Sequence, residues 1–301
     1  MSSAIRGALA LADRYAPTRI PVLLVGATGT GKELFARHIH ERSGRKGSLI
    51  DVNCCALPRD MVESLLFGHR RGAFTGATES RAGHVERSDR GTLFLDELGS
   101  LVPEAQGKLL RVLETGDVQP LGAQLKVLVD FRVVGAVQED IWARVEAGEF
   151  RRDLYQRVAG VLIHLPPLAA RPEDVVALAE HFAQVDGKRL AAGAEAVLLE
   201  YPWPGNVREL RQVIERAGQL VENGTLPPAA LAEAIELGAP EVGESAERAR
   251  RRRRVAERAA LLSACEAHDR NADSIARSLG IHRATLFRRL KRAGISLRRP
   301  S

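Results

Sequence analysis

No apolar run in these 301 residues approaches the roughly 18 that a membrane-crossing helix needs, so no segment reads as a span. The first residues are polar and soon meet Asp13 and Arg14, which does not read as a secretory signal peptide. Aromatics are scarce, at 4%, so a core must rest on Leu, Val, Ala and Ile. Cysteine is scarcer still. Cys54, Cys55 and Cys265 have no metal-ligand spacing, and adjacent cysteines pair badly, which predicts reduced thiols and a cytoplasmic location. No internal repeat is apparent.

What is present is a globular composition, 45% hydrophobic and 27% charged, long enough for two or three domains. The net charge of +6 hides a split. Residues 245–301 hold 16 Lys and Arg against 5 Asp and Glu, a net of +11, which leaves residues 1–244 at −5. A mildly acidic body with a small basic tail argues for one module that binds polyanion and one that does not.

The pattern predicts a helix over 3–15, a buried strand over 21–25, a helix over 32–42 and a strand over 48–53. A third strand follows over 92–96, a helix over 104–115 and a strand over 130–137. Short apolar strands alternating with helices indicate an α/β fold, a parallel sheet covered on both faces, for residues 1–168. From Arg171 the strands are expected to stop, and helices over 172–185, 194–201 and 205–222 make a small all-α lid, residues 169–224. Residues 225–244 read as a linker broken by one helix near 228–236, and 245–301 as a C-terminal all-α domain.

Two motifs carry chemistry. Gly26, Ala27, Thr28, Gly29, Thr30, Gly31 and Lys32 follow a strand and open a helix, the context a P-loop requires. The glycines let backbone N–H groups close around phosphates, and Lys32 reaches the β/γ-phosphates, which points to ATP. Glu33 stands where the generic motif has a Ser or Thr ligand for Mg²⁺. Asp96, ending the buried strand Leu93-Phe94-Leu95, can hold Mg²⁺, and Glu97 can polarise an attacking water. Two carboxylates ending a buried strand are otherwise expensive.

In the tail, Ile275, Ala276 and Leu279 face inward on one helix, Gly280 allows a turn, and Ile281, Leu286 and Leu290 pack a second helix back. That second helix shows His282, Arg283, Thr285, Arg288, Arg289, Lys291 and Arg292 on its other face, a helix-turn-helix arrangement for double-stranded DNA. Arg250–Arg254 is a run of five arginines that cannot share one helix face, so some are solvated and the rest suit non-specific phosphate attraction.

Between the two nucleotide motifs lies Gly72-Ala73-Phe74-Thr75-Gly76-Ala77. Glycine is costly in a helix or a strand, so the run suits a flexible tip that carries one aromatic and one hydroxyl outward. This hexapeptide, with Gly29-Thr30-Gly31-Lys32-Glu33, resembles the sigma-54-dependent transcription activators, or bacterial enhancer-binding proteins. The resemblance spans residues 3–222, and the tail resembles the Fis-type domain that ends many of them. It implies an AAA+ ATPase core and Phe74 and Thr75 as the contact with sigma-54 RNA polymerase holoenzyme. It also implies anchoring at an upstream activating site on DNA and self-association into a ring, expected to be a hexamer.

On the same match Asn53 holds the catalytic glutamate, although by itself it reads equally as a polar strand end. Arg151 and Arg157 become arginine fingers toward a neighbouring subunit, although spacing alone favours solvated surface groups. Arg208, after Pro202-Trp203-Pro204-Gly205-Asn206-Val207, becomes a second sensor touching phosphate in cis. The first sensor departs from the family: Ala136-Val137-Gln138 replaces Ala-Thr-Asn, with an amide one methylene longer that could still reach the γ-phosphate. Residues 185–193 are shorter and less apolar than usual, the base pocket is expected to be incomplete, and nothing upstream resembles a regulatory domain. Two other readings fit the residues: a DNA-binding regulator or repressor with impaired ATPase, and an AAA+ remodeller of a different partner.

Overall fold

The computed structural model describes residues 1–138, 140–222, 224–238, 246–269, 271–279 and 283–295, without the side chains of 246–254, 256, 277 and 292. Contacts divide the chain into two compact units, Ser2–Pro167 and, with Met1, the residues from Leu168 onward.

In the first unit the strands run, in chain order, β1 (Val22–Val25), β2 (Leu49–Asn53), β3 (Thr92–Asp96), β4 (Asp117–Val118), β5 (Val127–Leu128), β6 (Arg132–Val137) and β7 (Val161–His164). Five of them form one parallel sheet in the order β2-β3-β6-β1-β7, and β4 and β5 pair as a separate antiparallel hairpin. Strand alternation sorts the apolar side chains. Leu23 and Val25 of β1 join Leu93, Leu95, Val133 and Val137 under the helix Pro103–Thr115. Val22 and Leu24 join Phe94, Val134 and Ala136 under the helices Ser3–Tyr15 and Lys32–Arg42. Both faces are therefore covered, which is why these strands read as continuous apolar runs. Pro103 starts its helix and Gly116, at φ 74°, ends it in the left-handed region that glycine favours.

The fold class expected from the alternation is the one observed. The strand β7 is an addition: only Ile163 is buried in it, and such a short edge pattern is weak in sequence.

The second unit packs the helices Pro172–Val185, Ala194–Glu200 and Asn206–Gln219 around Val175, Ala179, Leu198, Trp203, Leu210 and Ile214. Strands do not stop entirely here, because β8 (Arg189–Leu190) and β9 (Thr225–Leu226) form a two-residue parallel pair. The helix Pro228–Leu237 lies within the stretch read as a linker, yet it buries Leu231, Ala232, Ala234 and Ile235 in the same core. The prolines before it resemble linker punctuation, while the apolar residues after them decide the packing. The helix Ala246–Ala267 adds Val255 and Ala259 to this core. Its Leu261 and Cys265 meet Ile275 and Ala276 of Ala272–Ser278 and Leu286 and Leu290 of Arg283–Ala293. Gly280, expected to allow the turn between the last two helices, and Ile281, expected to help pack the second of them back, lie outside the described residues. Among the described residues no helix is long and apolar enough to cross a membrane.

Candidate functional site

The loop that follows β1 is fixed at its root by Gly26, whose N–H donates to the Val137 carbonyl at 3.2 Å. A side chain at Gly26 would put its Cβ 2.7 Å from the Leu165 carbonyl oxygen, so only glycine fits. Gly29 and Gly31 take φ of 79° and 106°, which turn the backbone into the following helix. Lys32 is buried, at 6% exposure, and its Nζ donates to the carbonyls of Gly26 at 2.7 Å and Ala27 at 3.3 Å. Thr30 Oγ1 donates to the Ala27 carbonyl at 2.8 Å, and Thr28 is exposed. Glu33 turns outward and pairs with Arg37 at 3.6 Å across one helical turn.

Two strands away, β3 ends at Asp96, opposite Asn53 of β2 in the register. Asp96 Oδ1 accepts the Glu97 N–H at 3.0 Å. Glu97 itself sits at φ 50°, ψ 43°, a left-handed conformation uncommon for any residue but glycine. Backbone strain of this kind gathers at functional positions. The Glu97 carboxylate accepts a hydrogen bond from Gln138 Nε2 at 3.2 Å. The extra methylene of Gln138 thus spans from the end of β6 to the acidic residue after β3. Asn53 is placed differently from the expectation. Its side-chain oxygen accepts the N–H groups of Cys55 at 3.0 Å and Ala56 at 3.3 Å, capping the turn Cys54–Ala56.

The surroundings are acidic. Partial burial and the carboxylates of Glu33 and Asp96 push the Asp51 carboxyl above its ordinary range. Burial, followed by Asp96 and Glu97, raises the Cys54 thiol and keeps it protonated. Among the described residues no group of three or more His, Cys, Asp or Glu side chains is arranged to hold a metal ion alone. Asp96 and Glu97, adjacent at the end of β3, offer the one or two carboxylates that Mg²⁺ takes together with substrate phosphates.

Arg151 precedes the helix Arg152–Val158, Arg157 lies in its last turn, and both are exposed. Arg151 pairs with Asp153 through two hydrogen bonds, at 3.0 and 2.7 Å, which lower the Asp153 carboxyl below the usual carboxylate range. Arg157 donates twice to the Leu113 carbonyl, near the C-terminal end of the helix Pro103–Thr115. The backbone of Arg151 is set by a residue the motif reading missed. Gln106 is fully buried; its Nε2 donates to the carbonyls of Leu101 at 2.8 Å and Glu149 at 3.0 Å, and its Oε1 accepts the Arg151 N–H at 2.9 Å. Its sequence signal was a polar residue on the apolar stripe of Ala105, Leu109 and Leu110.

The hexapeptide caps a narrow hairpin. His69 bridges both Arg81 and Leu121, and Gly72 donates to the Ala77 carbonyl at 2.8 Å. Gly72 and Gly76 both have positive φ, so the tip depends on them. Thr75 is exposed and Phe74 is 42% exposed, with its ring edge-on to His69 at 5.1 Å. Gly122, at φ 72°, braces the loop so closely that a Cβ there would lie 2.9 Å from the Ala73 Cβ.

In the second unit Arg208 is exposed in the first turn of Asn206–Gln219. That turn is rigid: Trp203 donates to the Leu198 carbonyl at 2.8 Å, and Asn206 accepts the Leu168 N–H at 2.7 Å. Of the residues expected to meet DNA, Arg283, Arg288 and Lys291 are exposed and Thr285 is half-buried. Arg289 is also exposed and pairs with Glu257 at 3.5 Å. His282 and the side chain of Arg292 lie outside the described residues.

A parallel sheet whose first strand feeds a P-loop, with a carboxylate pair two strands away and a helical unit following, is the architecture of the AAA+ P-loop NTPases. Residues 1–164 match the family model of the Sigma-54 interaction domain, and residues 169–248 that of the AAA+ ATPase lid domain. The chain belongs to the sigma-54-dependent transcriptional activator family. It is 49% identical to the anaerobic nitric oxide reductase transcription regulator NorR of Vibrio vulnificus (strain YJ016), over 71% of this chain and 43% of that protein. It is 38% identical to the DNA-binding transcriptional activator HyfR of Escherichia coli (strain K12), over 99% of this chain and 47% of that protein. The chain thus spans about half the length of these relatives. The crystal structure of NtrX from Brucella abortus in complex with ATP superposes with a TM-score of 0.72, at 29% identity, over 98% of this chain and 69% of that one.

Proposed function

We propose that the chain is an ATP-hydrolysing activator that binds upstream DNA and remodels sigma-54 RNA polymerase holoenzyme through Phe74 and Thr75, in the cytoplasm. The carrying observation is that one unit joins a P-loop and a tethered Glu97 to a braced hairpin displaying those two residues. Residues 1–168 are the motor and 169–224 the lid, whose core the helix Pro228–Leu237 of residues 225–244 completes, and 245–301 are the Fis-type DNA-binding domain.

In this reading the loop N–H groups of residues 26–31, with Lys32, hold the ATP phosphates, while Thr28, Thr30 and Glu33 shape the loop and the start of its helix. Asp96 would hold Mg²⁺, which supplies charge neutralisation on the phosphate oxygens. Glu97 orients the attacking water and draws on its proton, and Gln138 fixes where that carboxylate points. Asn53 sets the turn beside Asp96. Arg151 and Arg157 of one copy meet the nucleotide of the next copy in a ring, a hexamer in this reading, where their charge stabilises transfer. Arg208 senses the same phosphates in cis. Arg283, Thr285, Arg288, Arg289, Lys291, His282 and Arg292 serve the DNA side.

The test is open-complex formation on a sigma-54 promoter with this chain and ATP, with Lys32→Ala as the inactive control. Thr75→Ala should keep ATP turnover and lose activation; a Thr75→Ala protein that activates normally defeats the loop assignment. The Gln138–Glu97 contact also favours a second reading, a DNA-binding regulator whose glutamate is held back from water. Absence of ATP turnover by the assembled wild-type chain would select that reading.

A further inference from the structure

The last 57 residues of the chain contain no Tyr or Trp and a single Phe, Phe287. It does not join the small core of Leu261, Cys265, Ile275, Ala276, Leu286 and Leu290. A domain of this size gains most from burying its largest apolar side chain, so an aromatic left 46% exposed calls for another role. Nor is the ring loose. The Arg283 guanidinium lies 5.7 Å from its centroid, and Arg283 Nη1 is itself held by Asp273 Oδ1 at 3.1 Å and Oδ2 at 3.2 Å. Asp273 is fixed in turn, because its N–H donates to Asn271 Oδ1 at 3.1 Å at the start of its helix. Beside Phe287 on the helix surface lie Ala284, Arg288 and Lys291, all exposed.

An apolar side chain framed by cations does not suit a purely apolar partner. It suits a polyanion that also offers an apolar group. Duplex DNA does so in the major groove, where the C5-methyl of thymine is the apolar feature of a base edge. The charge of residues 245–301, a net of +11, selects the same partner.

We propose that Phe287 is a specificity-determining residue that packs on the C5-methyl of a thymine in the DNA site, held for that contact by the Asp273–Arg283 pair. The inference rests on the reading of residues 245–301 as a duplex-DNA-binding domain. Arg288 and Lys291 then hold phosphates and set the register, while Phe287 contributes discrimination at one base pair.

The experiment starts with the full chain selecting sites from a random duplex pool, alongside Phe287→Ala and Phe287→Leu. The wild-type sites should carry a thymine that Phe287→Ala no longer requires. Replacing that thymine by deoxyuridine removes only the methyl group. Wild-type affinity should then fall about fourfold, the factor that burying one methyl group gives, and Phe287→Ala affinity should not change. Phe287→Leu keeps an apolar body and should retain part of the discrimination. Equal binding of thymine and deoxyuridine sites by the wild type overturns the proposal. So does a Phe287→Ala protein that loses affinity uniformly while still preferring thymine, which would make Phe287 a structural or subunit contact. A wild-type chain that selects no duplex overturns the domain reading itself, a result distinct from both.

Discussion

Gln106→Leu tests whether the arginine segment is positioned from inside the core. The substitution nearly conserves volume but removes both donors and the acceptor of a fully buried amide. The Leu101 carbonyl, wholly buried, loses its partner, at a cost of about 1–3 kcal/mol. The Glu149 carbonyl and the Arg151 N–H are partly accessible and lose about 0.5–1.5 kcal/mol each. Burying leucine in place of an amide returns about 1–2 kcal/mol. The net is a loss of about 2 kcal/mol, or about 4–8 °C in Tm for a unit of this size. The functional effect should exceed what stability explains. With Arg151 released at its backbone, turnover of the assembled protein should fall about 10- to 100-fold, the effect of about 1 Å of misplacement. Thermal melts and ATP turnover, both below the variant's melting range, measure the two separately. A Gln106→Leu protein with wild-type turnover, whatever its Tm, refutes the positioning argument.

Gln138→Ala should lower turnover about tenfold with the KM for ATP little changed, since the amide touches Glu97 and not the P-loop; steady-state kinetics read this directly. Gly122→Ala forces a Cβ toward Ala73 at a positive φ, so it should displace the hexapeptide and abolish sigma-54 capture while basal ATPase persists, as a pull-down with a metal-fluoride nucleotide would report. Burial depresses the imidazole pKa of His40 and His84, with Arg45 near the first and Arg87 and Arg81 near the second adding to it. The unfolded chain therefore takes up protons first, and stability should drop as pH falls below about 6.5. Urea midpoints at about pH 7.5 and 5.5 should differ in that direction, and His84→Gln should narrow the gap.

Much of the candidate nucleotide site is legible in the sequence because its parts are local. A strand, three glycines and a lysine fall within residues 22–32, so spacing alone places Lys32 at the start of a helix. The acidic pair at the end of β3 and the apolar alternation of β1 are likewise properties of five or so neighbouring residues. The hexapeptide was readable because glycine on both sides of Phe74 and Thr75 rules out regular structure there.

Contacts between distant residues were decided only by the tertiary structure. Asn53 was the candidate to hold Glu97 and Gln138 the one to reach phosphate, yet the strand order, which brings β6 beside β3, gives the Glu97 contact to Gln138 while Asn53 caps its own turn. Gln106 reaches Glu149 and Arg151 across more than forty residues, a meeting that no local pattern encodes. The helix Pro228–Leu237 became part of a core rather than a connection because neighbouring helices offered an apolar surface to cover it. Arg289 pairs with Glu257 while still exposed, and Phe287 stays exposed beside Arg283. Sequence thus determined the chemistry each segment can offer, through backbone preference and periodicity. Which of those groups touch was settled by packing, because burial and hydrogen bonding are satisfied by the whole fold at once.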